Sequence, residues 1–350
     1  MRAITIVPSI PHSAQLSEVP EPPEGDGTML VRALALGVCG TDREIVAGEH
    51  GAPVPGRERL ILGHESLGVV EQAPADCGFV PGDHVVGIVR MPDPVPCPAC
   101  AAGEWDMCLN GGYVEHGIKQ RDGFGAERFR IDPGFAVKVD RDLGLLAVLL
   151  EPASVVAKAW DHIERIGRRS QAWGARTVLI TGAGPIGLLA AMMGQQRGLA
   201  VHVFSRATDG PEVRLTKTLG GTYHSGDIAT VVDAVKPDVV IECTGAPAVV
   251  AAVMGYAAPT GIVCLAGLSA SKTMQADIGR LNRSLVLDNQ VVFGTVNANR
   301  RHYEVAADAL ARADRRWLDG LISRRVPLDR WADALERRDG DIKVVIDFSL

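Results

Sequence analysis

Three short motifs in the first 155 residues carry side chains that can bind zinc. Cys39 lies in Gly-Val-Cys-Gly-Thr-Asp, and His64 and Glu65 lie in Gly-His-Glu-Ser-Leu-Gly. Glu151 precedes a proline in Leu-Leu-Glu-Pro-Ala. A single Cys or His is more often a core or hydrogen-bonded residue, but thiolate, imidazole and carboxylate together are the donor types that zinc accepts. A catalytic zinc keeps one position open for water or substrate, so the motifs predict a catalytic metal.

A second group of thiols lies in one short loop. Cys97, Cys100 and Cys108 follow the spacing Cys-x2-Cys-x7-Cys, which favours a structural zinc with Asp93 as a possible oxygen ligand. The alternative is a metal-free loop with three reduced thiols. The other cysteines have no metal motif around them and are predicted to be small core residues: Cys77, Cys243 and Cys264.

A glycine-rich turn follows an apolar, β-branched segment at residues 177–181 and precedes a helical pattern at 188–197. Gly182 permits a tight turn, Gly184 lets the backbone approach a pyrophosphate, and Gly187 lets helix and strand pack closely. In this strand-turn-helix context the pattern predicts a dinucleotide site. The predicted cofactor contacts are Gly182, Gly184, Pro185, Ile186 and Gly187.

The next predicted strand, residues 201–205, indicates which cofactor is used. NAD sites place an Asp or Glu at its end, whereas this strand ends in Ser205 followed by Arg206. Both side chains can donate hydrogen bonds to a 2'-phosphate, so we predict NADP over NAD. The alternative is that Arg206 is a solvated loop residue, and Asp209 is close enough to weaken the preference.

The elements that position these residues fall into two domains, as the length of 350 residues favours. Short apolar runs before about residue 151 predict a mostly antiparallel β region at 29–36, 67–71, 84–89 and 136–139. Alternating strands and helices then predict a doubly wound α/β domain. A helical tail and a last strand at 343–348 follow the α/β domain, and we expect this C-terminal segment to complete the first domain. The predicted domains are residues 1–154 with 293–350 (catalytic) and 155–292 (dinucleotide-binding, Rossmann).

Composition narrows the classes of partner. The chain has 36 Lys and Arg against 42 Asp and Glu, a net charge of −6, which argues against nucleic acid or an acidic membrane surface. Pro8 and Pro11 interrupt the apolar residues at the N-terminus, and we expect no apolar run of the roughly 18 residues that a membrane span requires. These features predict a cytoplasmic protein without a membrane partner.

The motifs, in this order and at these distances, resemble those of the zinc-dependent medium-chain dehydrogenases over essentially the whole chain. The resemblance implies a GroES-like catalytic domain beside the Rossmann domain. Glu65 directly after His64, and Glu151 before a proline, resemble the polyol and glucose dehydrogenase branches. By this resemblance Cys39, His64 and Glu151 hold the catalytic zinc, and Glu65 either ligates it or exchanges with water.

The resemblance also implies how protons move. Thr41, two residues after Cys39, matches the position whose hydroxyl relays the substrate's proton in this superfamily. The alternative is a turn-forming threonine in a glycine-rich loop. Thr41 and Glu65 are the predicted catalytic residues. His50 could extend the relay, but nothing in the sequence fixes its position.

Segments around residues 97–108 and 112–125 resemble the glucose 1-dehydrogenase family. The resemblance implies that Glu115 accepts hydrogen bonds from sugar hydroxyls. Asn297 and His302 fall near a region that closes over cofactor and sugar, and Arg90 lies in a stretch where some relatives have an asparagine. The predicted substrate contacts are Thr41, Glu115, Glu151 and Asn297, the last also a cofactor contact.

The sequence therefore predicts oxidation of an aldose, D-glucose at C1 to gluconolactone, with hydride transfer to NADP. A polyol, cyclitol or amino sugar remains an alternative substrate. A catalytically inactive nucleotide-binding protein would carry damaged ligands, whereas Cys39, His64, Glu65 and Glu151 are intact. The same residues disfavour a zinc-free quinone reductase. The resemblance implies a homodimer or homotetramer.

Overall fold

The computed structural model describes residues 1–269 and 276–350. This part of the chain divides into two compact units. Unit 1 comprises Met1–Ser154 and Asn297–Leu350, and unit 2 comprises Val155–Val296. The first unit is therefore discontinuous in sequence, because the C-terminal segment returns to it.

The strands are numbered here in chain order. They are β1 (Arg2–Ile6), β2 (Gln15–Glu18), β3 (Met29–Val38), β4 (Leu60–Ile61), β5 (Glu65–Gln72), β6 (His84–Gly87), β7 (Arg90–Met91), β8 (Val114–His116), β9 (Gln120–Arg121), β10 (Arg128–Ile131), β11 (Ala136–Lys138), β12 (Thr177–Thr181), β13 (Ala200–Phe204), β14 (Thr222–His224), β15 (Val239–Glu242), β16 (Ile262–Leu265), β17 (Val291–Gly294), β18 (Ile322–Pro327) and β19 (Lys343–Asp347).

The α-helices are numbered in the same way. They are α1 (Gly40–Val46), α2 (Pro98–Ala101), α3 (Leu150–Gly167), α4 (Pro185–Gln195), α5 (Pro211–Thr218), α6 (Ile228–Val235), α7 (Pro247–Val253), α8 (Ile278–Leu287), α9 (Arg300–Ala311), α10 (Arg315–Asp319) and α11 (Trp331–Leu335). Short 3-10 helices occur at Glu24–Asp26, Trp105–Met107, Pro133–Phe135, Arg141–Leu149 and Leu328–Arg330.

Unit 1 is built around a seven-stranded sheet with the order β11-β6-β5-β3-β19-β18, in which β10 also pairs with β3. The ten-residue strand β3 buries most of its side chains, as a central strand does. The C-terminal strand β19 runs antiparallel to β3, so the end of the chain lies beside the segment that leads into Cys39. Two three-stranded sheets, β2-β1-β4 and β7-β8-β9, complete the β structure.

Unit 2 contains a six-stranded parallel sheet with the order β14-β13-β12-β15-β16-β17. Its central strands are runs of buried apolar residues, as expected for a sheet covered on both faces. The strand order reverses between β13 and β15 at β12, and dinucleotides bind at such a switch point. The predicted fold class, a mostly β GroES-like domain with a doubly wound Rossmann domain, is confirmed.

Two local expectations need correction. Helix α4 begins three residues earlier than residue 188, because Pro185 has the φ that the first turn requires and needs no backbone N–H there. The second is the expectation that no apolar stretch is long enough to span a membrane. The helical stretch Arg141–Gly167 has the length and the mean hydropathy, 1.5, of a membrane span. However, 78% of its most apolar window is buried inside the protein, as in a core helix of a soluble enzyme.

Candidate active site

Cys39 lies at the junction of β3 and α1, where the chain turns from strand to helix. Its backbone N–H donates to Asp42 Oδ2 (2.9 Å), and its Sγ accepts from the backbone N–H of Thr41 (3.2 Å). This reciprocal capping holds the first turn of the helix and fixes the direction of the thiol. The Thr41 side chain is half-buried, and His50 is exposed in the loop after the helix.

His64 lies directly before β5 and contacts Cys39. Its Nε2 is 3.0 Å from Cys39 Sγ, and its Nδ1 is 3.3 Å from Asp42 Oδ1. A carboxylate in this position orients a metal-binding imidazole. Burial lowers the pKa of His64, but the charges of Cys39 and Asp42 outweigh it and raise the pKa well above its usual value. One ligand atom each from Cys39, His64 and Glu65 lies within 4.8 Å of the others.

Glu65 is buried and is paired with a lysine from the opposite end of the chain. Lys343 Nζ lies 2.6 Å from Oε1 and 2.5 Å from Oε2 of this carboxylate. Burial alone would lower the pKa of Lys343, but Glu65 and Cys39 raise it above its usual value. Removal of either partner of a fully buried ion pair strongly destabilises the protein, because the remaining charge is left without a counter-charge. Glu65 and Lys343 therefore depend on each other.

Glu151 lies in the first turn of α3 and is 8% exposed. Burial raises the pKa of its carboxyl to about 7, His64 opposes this, and Glu65 adds to it. Buried anionic groups crowded together are stabilised by a divalent cation. The donor set of thiol, imidazole and carboxylate fits zinc. The ligand atoms that lie within 4.8 Å of one another belong to Cys39, His64 and Glu65, and Glu151 is outside this group.

The cysteine lobe brings three thiols together. Ligand atoms of Cys97, Cys100 and Cys108 lie within 4.8 Å of one another, and Asp93 is outside this group. Asp93 Oδ1 instead accepts a hydrogen bond from the backbone N–H of Val95 (2.9 Å). Backbone N–H groups donate to Cys97 Sγ and lower its pKa to about 6, whereas burial raises the pKa of Cys100 to about 11. Of the other cysteines, Cys264 is buried, and Cys77 and Cys243 are half-buried.

Two positions of the glycine turn in unit 2, Gly182 and Gly187, accept only glycine without strain or a clash. Gly182 has φ +93°, and a Cβ on Gly187 would lie 1.8 Å from the carbonyl oxygen of Gly182. A Cβ on Gly184 would meet nothing within 4 Å, so the backbone there is open to a ligand. Gly184 caps α4 without a side-chain hydrogen bond, which leaves the backbone N–H groups of Ile186 and Gly187 in the first turn facing outward, since Pro185 has none. The turn fits a pyrophosphate.

Ser205 and Arg206 follow β13, the strand beside this turn. Ser205 is half-buried, and its backbone N–H donates to His224 O (3.1 Å). Arg206 is exposed and makes no hydrogen bond or ion pair with residues 1–269 or 276–350. Its guanidinium is therefore available to a ligand. Asp209 is exposed as well.

Glu115, Asn297 and His302 all lie in unit 1. Asn297 Nδ2 donates to Glu115 Oε1 (2.8 Å), and His302 is buried at the start of α9. Sequence reasoning missed the partners of these residues and of the zinc cluster. Lys343 had one visible signal, a lysine at the start of an apolar terminal strand. The missed residues are Asp42, Asp106, Tyr303 and Lys343, and for Arg90, which the sequence analysis named, the pairing with Glu115 was missed.

Two families of domain match the chain. Residues 25–141 match the alcohol dehydrogenase GroES-like domain, and residues 144–348 match the glucose dehydrogenase C-terminus. These matches and the fold define an oxidoreductase of the zinc-dependent medium-chain class. The E. coli galactitol-1-phosphate dehydrogenase has the same fold, with a TM-score of 0.81 over 99% of this chain and 100% of that chain at 22% identity.

Proteins that are more similar in sequence indicate the family within this class. Glucose 1-dehydrogenase 2 of Vulcanisaeta moutnovskia and glucose 1-dehydrogenase of Methanocella arvoryzae are each 38% identical to this chain, over 99% of both chains. Haloferax mediterranei glucose dehydrogenase, in complex with NADP, Zn and gluconolactone, has a TM-score of 0.92 at 30% identity and full coverage of both chains. The chain belongs to the zinc-dependent glucose dehydrogenase family. The predicted family and enzyme class are confirmed.

Proposed function

We propose that this protein oxidises D-glucose at C1 to gluconolactone with NADP as hydride acceptor and zinc as the catalytic metal. The observation that carries the proposal is the convergence of Cys39, His64 and Glu65 within 4.8 Å. The similarity to glucose 1-dehydrogenases over 99% of the chain supports the sugar substrate.

Zinc, when bound, supplies a Lewis acid that lowers the pKa of the substrate hydroxyl. Cys39, His64 and Glu151 would hold the metal, and Glu65 would either ligate it or exchange with water. NADP, when bound, would supply the acceptor for the C1 hydrogen and its electron pair, so the hydroxyl proton needs a separate route. Thr41 accepts this proton at its hydroxyl oxygen and passes its own proton to water.

The chain's own residues support the choice of NADP. The outward N–H groups of α4 bind the pyrophosphate, and Gly182 and Gly187 shape the turn. Ser205 and Arg206 bind the 2'-phosphate, where a carboxylate would repel it. Asn297 and Glu115 bind the sugar.

We also propose a structural zinc at Cys97, Cys100 and Cys108, with Asp93 as a fourth ligand after a change of its side-chain rotamer. All seven cysteines are unpaired, which supports a reducing, cytoplasmic location. The proposed assembly is a homodimer or homotetramer, and light scattering of the purified protein measures it.

Initial rates with NADP and then NAD test the function against glucose, galactose, xylose, sorbitol, myo-inositol and glucosamine. Each rate is measured with and without a zinc chelator. Chelator-sensitive, NADP-preferring oxidation of glucose is the expected result. Turnover of a polyol or amino sugar without any aldose activity would contradict the substrate and leave the zinc chemistry in place.

A further inference from the structure

The carboxylate of Glu115 is held by donors on one oxygen only. Arg90 Nε donates to Oε1 (3.0 Å), Arg90 Nη2 lies 3.0 Å from the same atom, and Asn297 Nδ2 donates to it (2.8 Å). No donor from residues 1–269 or 276–350 contacts Oε2. Oε1 is therefore saturated, and Oε2 is the oxygen that a ligand hydroxyl can reach.

Arg90 is itself held in place. Only 6% of the residue is exposed, and Nη1 donates to the backbone carbonyl of Asp106 (3.2 Å). The guanidinium lies 3.7 Å from the ring centroid of Tyr113, which Lys119 Nζ also approaches at 4.1 Å. The planar guanidinium of Arg90 is stacked on a ring and bonded through three nitrogens, so its orientation is fixed. A lysine could not make the same set of contacts.

The third donor is fixed by its backbone. Asn297 has φ +60°, in the left-handed region, and its Oδ1 accepts from the N–H of Ala298 (2.8 Å). The amide nitrogen therefore turns toward Glu115. Two residues later, Asn299 Nδ2 donates to Asp106 Oδ1 (2.8 Å), which ties the same segment to the residue that binds Arg90.

This network is attached to the proposed zinc cluster within unit 1. The N–H of Val89, the residue before Arg90, donates to the hydroxyl of the buried Tyr303 (3.3 Å). Burial raises the pKa of Tyr303 well above its usual value, and the charge of Glu151, a proposed ligand, adds to this. Gly117 directly follows β8, the strand of Glu115, and a Cβ there would lie 2.4 Å from the carbonyl oxygen of Gly63, the residue before His64.

We propose that Arg90 is a positioning residue that sets substrate specificity, and this inference rests on the proposed function. By saturating Oε1 it presents Oε2 of Glu115 to one sugar hydroxyl. By neutralising the buried carboxylate it leaves a pair without net charge, so the site selects a neutral aldose over an anionic one.

The test compares D-glucose with D-glucuronate, which has the same C1 group and a carboxylate at C6. Glu115→Gln leaves the guanidinium without its counter-charge. We expect its kcat/KM for glucose to fall about 10-fold or more through KM, because a charge-assisted hydrogen bond is lost. The ratio of kcat/KM for glucuronate to that for glucose should rise at least about tenfold, by attraction to an unpaired charge.

Arg90→Gln should have the opposite effect on this ratio, because it leaves a buried carboxylate that repels glucuronate. The double variant Arg90→Gln with Glu115→Gln should return the ratio close to that of the unchanged enzyme. Arg90→Lys keeps the charge and loses the fork, so KM for glucose should rise while the ratio stays. Arg128→Gln removes a guanidinium paired with Glu71 on the surface, and neither KM nor the ratio should change.

The reversal of sign between the two single variants is the readout that a purely structural role would not produce. If Arg90→Gln does not fold, Glu115→Gln still tests the rise in the ratio, and Arg90→Lys still tests the rise in KM for glucose at an unchanged ratio. An unchanged ratio in every variant, with equal losses of kcat for both sugars, would overturn the inference. Absence of aldose turnover in the unchanged enzyme would overturn the proposed function and this inference with it, whereas turnover with unaltered selectivity would overturn the inference alone.

Discussion

Glu65 and Lys343 lie on strands that do not pair with each other, and their side chains meet across Gly37. Gly37 lies opposite Glu65 in the β3–β5 ladder and opposite Val345 in the β3–β19 ladder. A Cβ on Gly37 would lie 2.1 Å from Glu65 Oε2. The glycine therefore provides the space in which the carboxylate reaches its counter-charge, beside Cys39.

Gly37→Ala should lower the free energy of unfolding by about 2 kcal/mol or more, because the added methyl group collides with a buried, paired carboxylate. Gly25→Ala is the matched control, since a Cβ there would meet nothing within 4 Å. Chemical denaturation of both variants measures the difference. Equal stability of the two would show that the carboxylate moves aside without cost.

Lys343→Met should cost about 3–5 kcal/mol of stability, because it leaves Glu65 buried without a counter-charge. Lys138→Met is the control: its ion pair with Asp83 is on the surface, with 48% of the lysine side chain exposed, and should be worth less than about 1 kcal/mol. Thermal unfolding of both variants checks the prediction. A shift no larger for Lys343→Met than for Lys138→Met would contradict it.

Arg206→Glu should raise KM for NADP about tenfold or more and leave KM for NAD within a factor of about three, because it replaces a 2'-phosphate donor by a like charge. Arg214→Glu, an exposed charge reversal on α5, should leave both constants unchanged. Initial-rate kinetics with both cofactors measure the effect. Equal effects of the two reversals would remove Arg206 from the cofactor site.

His116 should make the protein less stable in mild acid. Burial lowers the pKa of its imidazole to about 3, and its Nδ1 lies 2.7 Å from the carbonyl oxygen of Asp122. The unfolded chain binds a proton near pH 6.5, whereas the folded chain does not. This contribution to stability is therefore complete above pH 6.5 and falls by about 2 kcal/mol at pH 5.

His116→Gln removes this titration, so its melting temperature should fall less than that of the unchanged protein between pH 7 and pH 5. Thermal unfolding of both proteins at the two pH values measures the difference. Parallel pH dependence would show that His116 is protonated in the folded protein.

Features that depend on neighbours in sequence could be predicted from the sequence. The glycine turn from Gly182 to Gly187 and the alternation of strands and helices are local patterns, and they identified the doubly wound domain. The thiol and imidazole motifs at Cys39 and His64 are local as well, and the fold brings their atoms to 3.0 Å.

The partners of these groups could not be predicted because they come from distant segments. Lys343 is 278 residues from Glu65, and strand pairing alone brings them together. The pair formed by Arg90 and Glu115 likewise depends on the register between β7 and β8. Periodicity indicates that such residues are in strands, but it does not indicate which residue lies opposite.

Zinc dependence of glucose oxidation is the most direct test of the proposed function. The rate of NADP reduction with glucose is measured for the unchanged enzyme and for Cys39→Ala and Cys77→Ala, after chelation and during zinc titration. We expect zinc to restore the unchanged enzyme and Cys77→Ala, while Cys39→Ala binds NADP but stays inactive at every zinc concentration. Full activity of Cys39→Ala, or of the chelated enzyme, would contradict the metal mechanism.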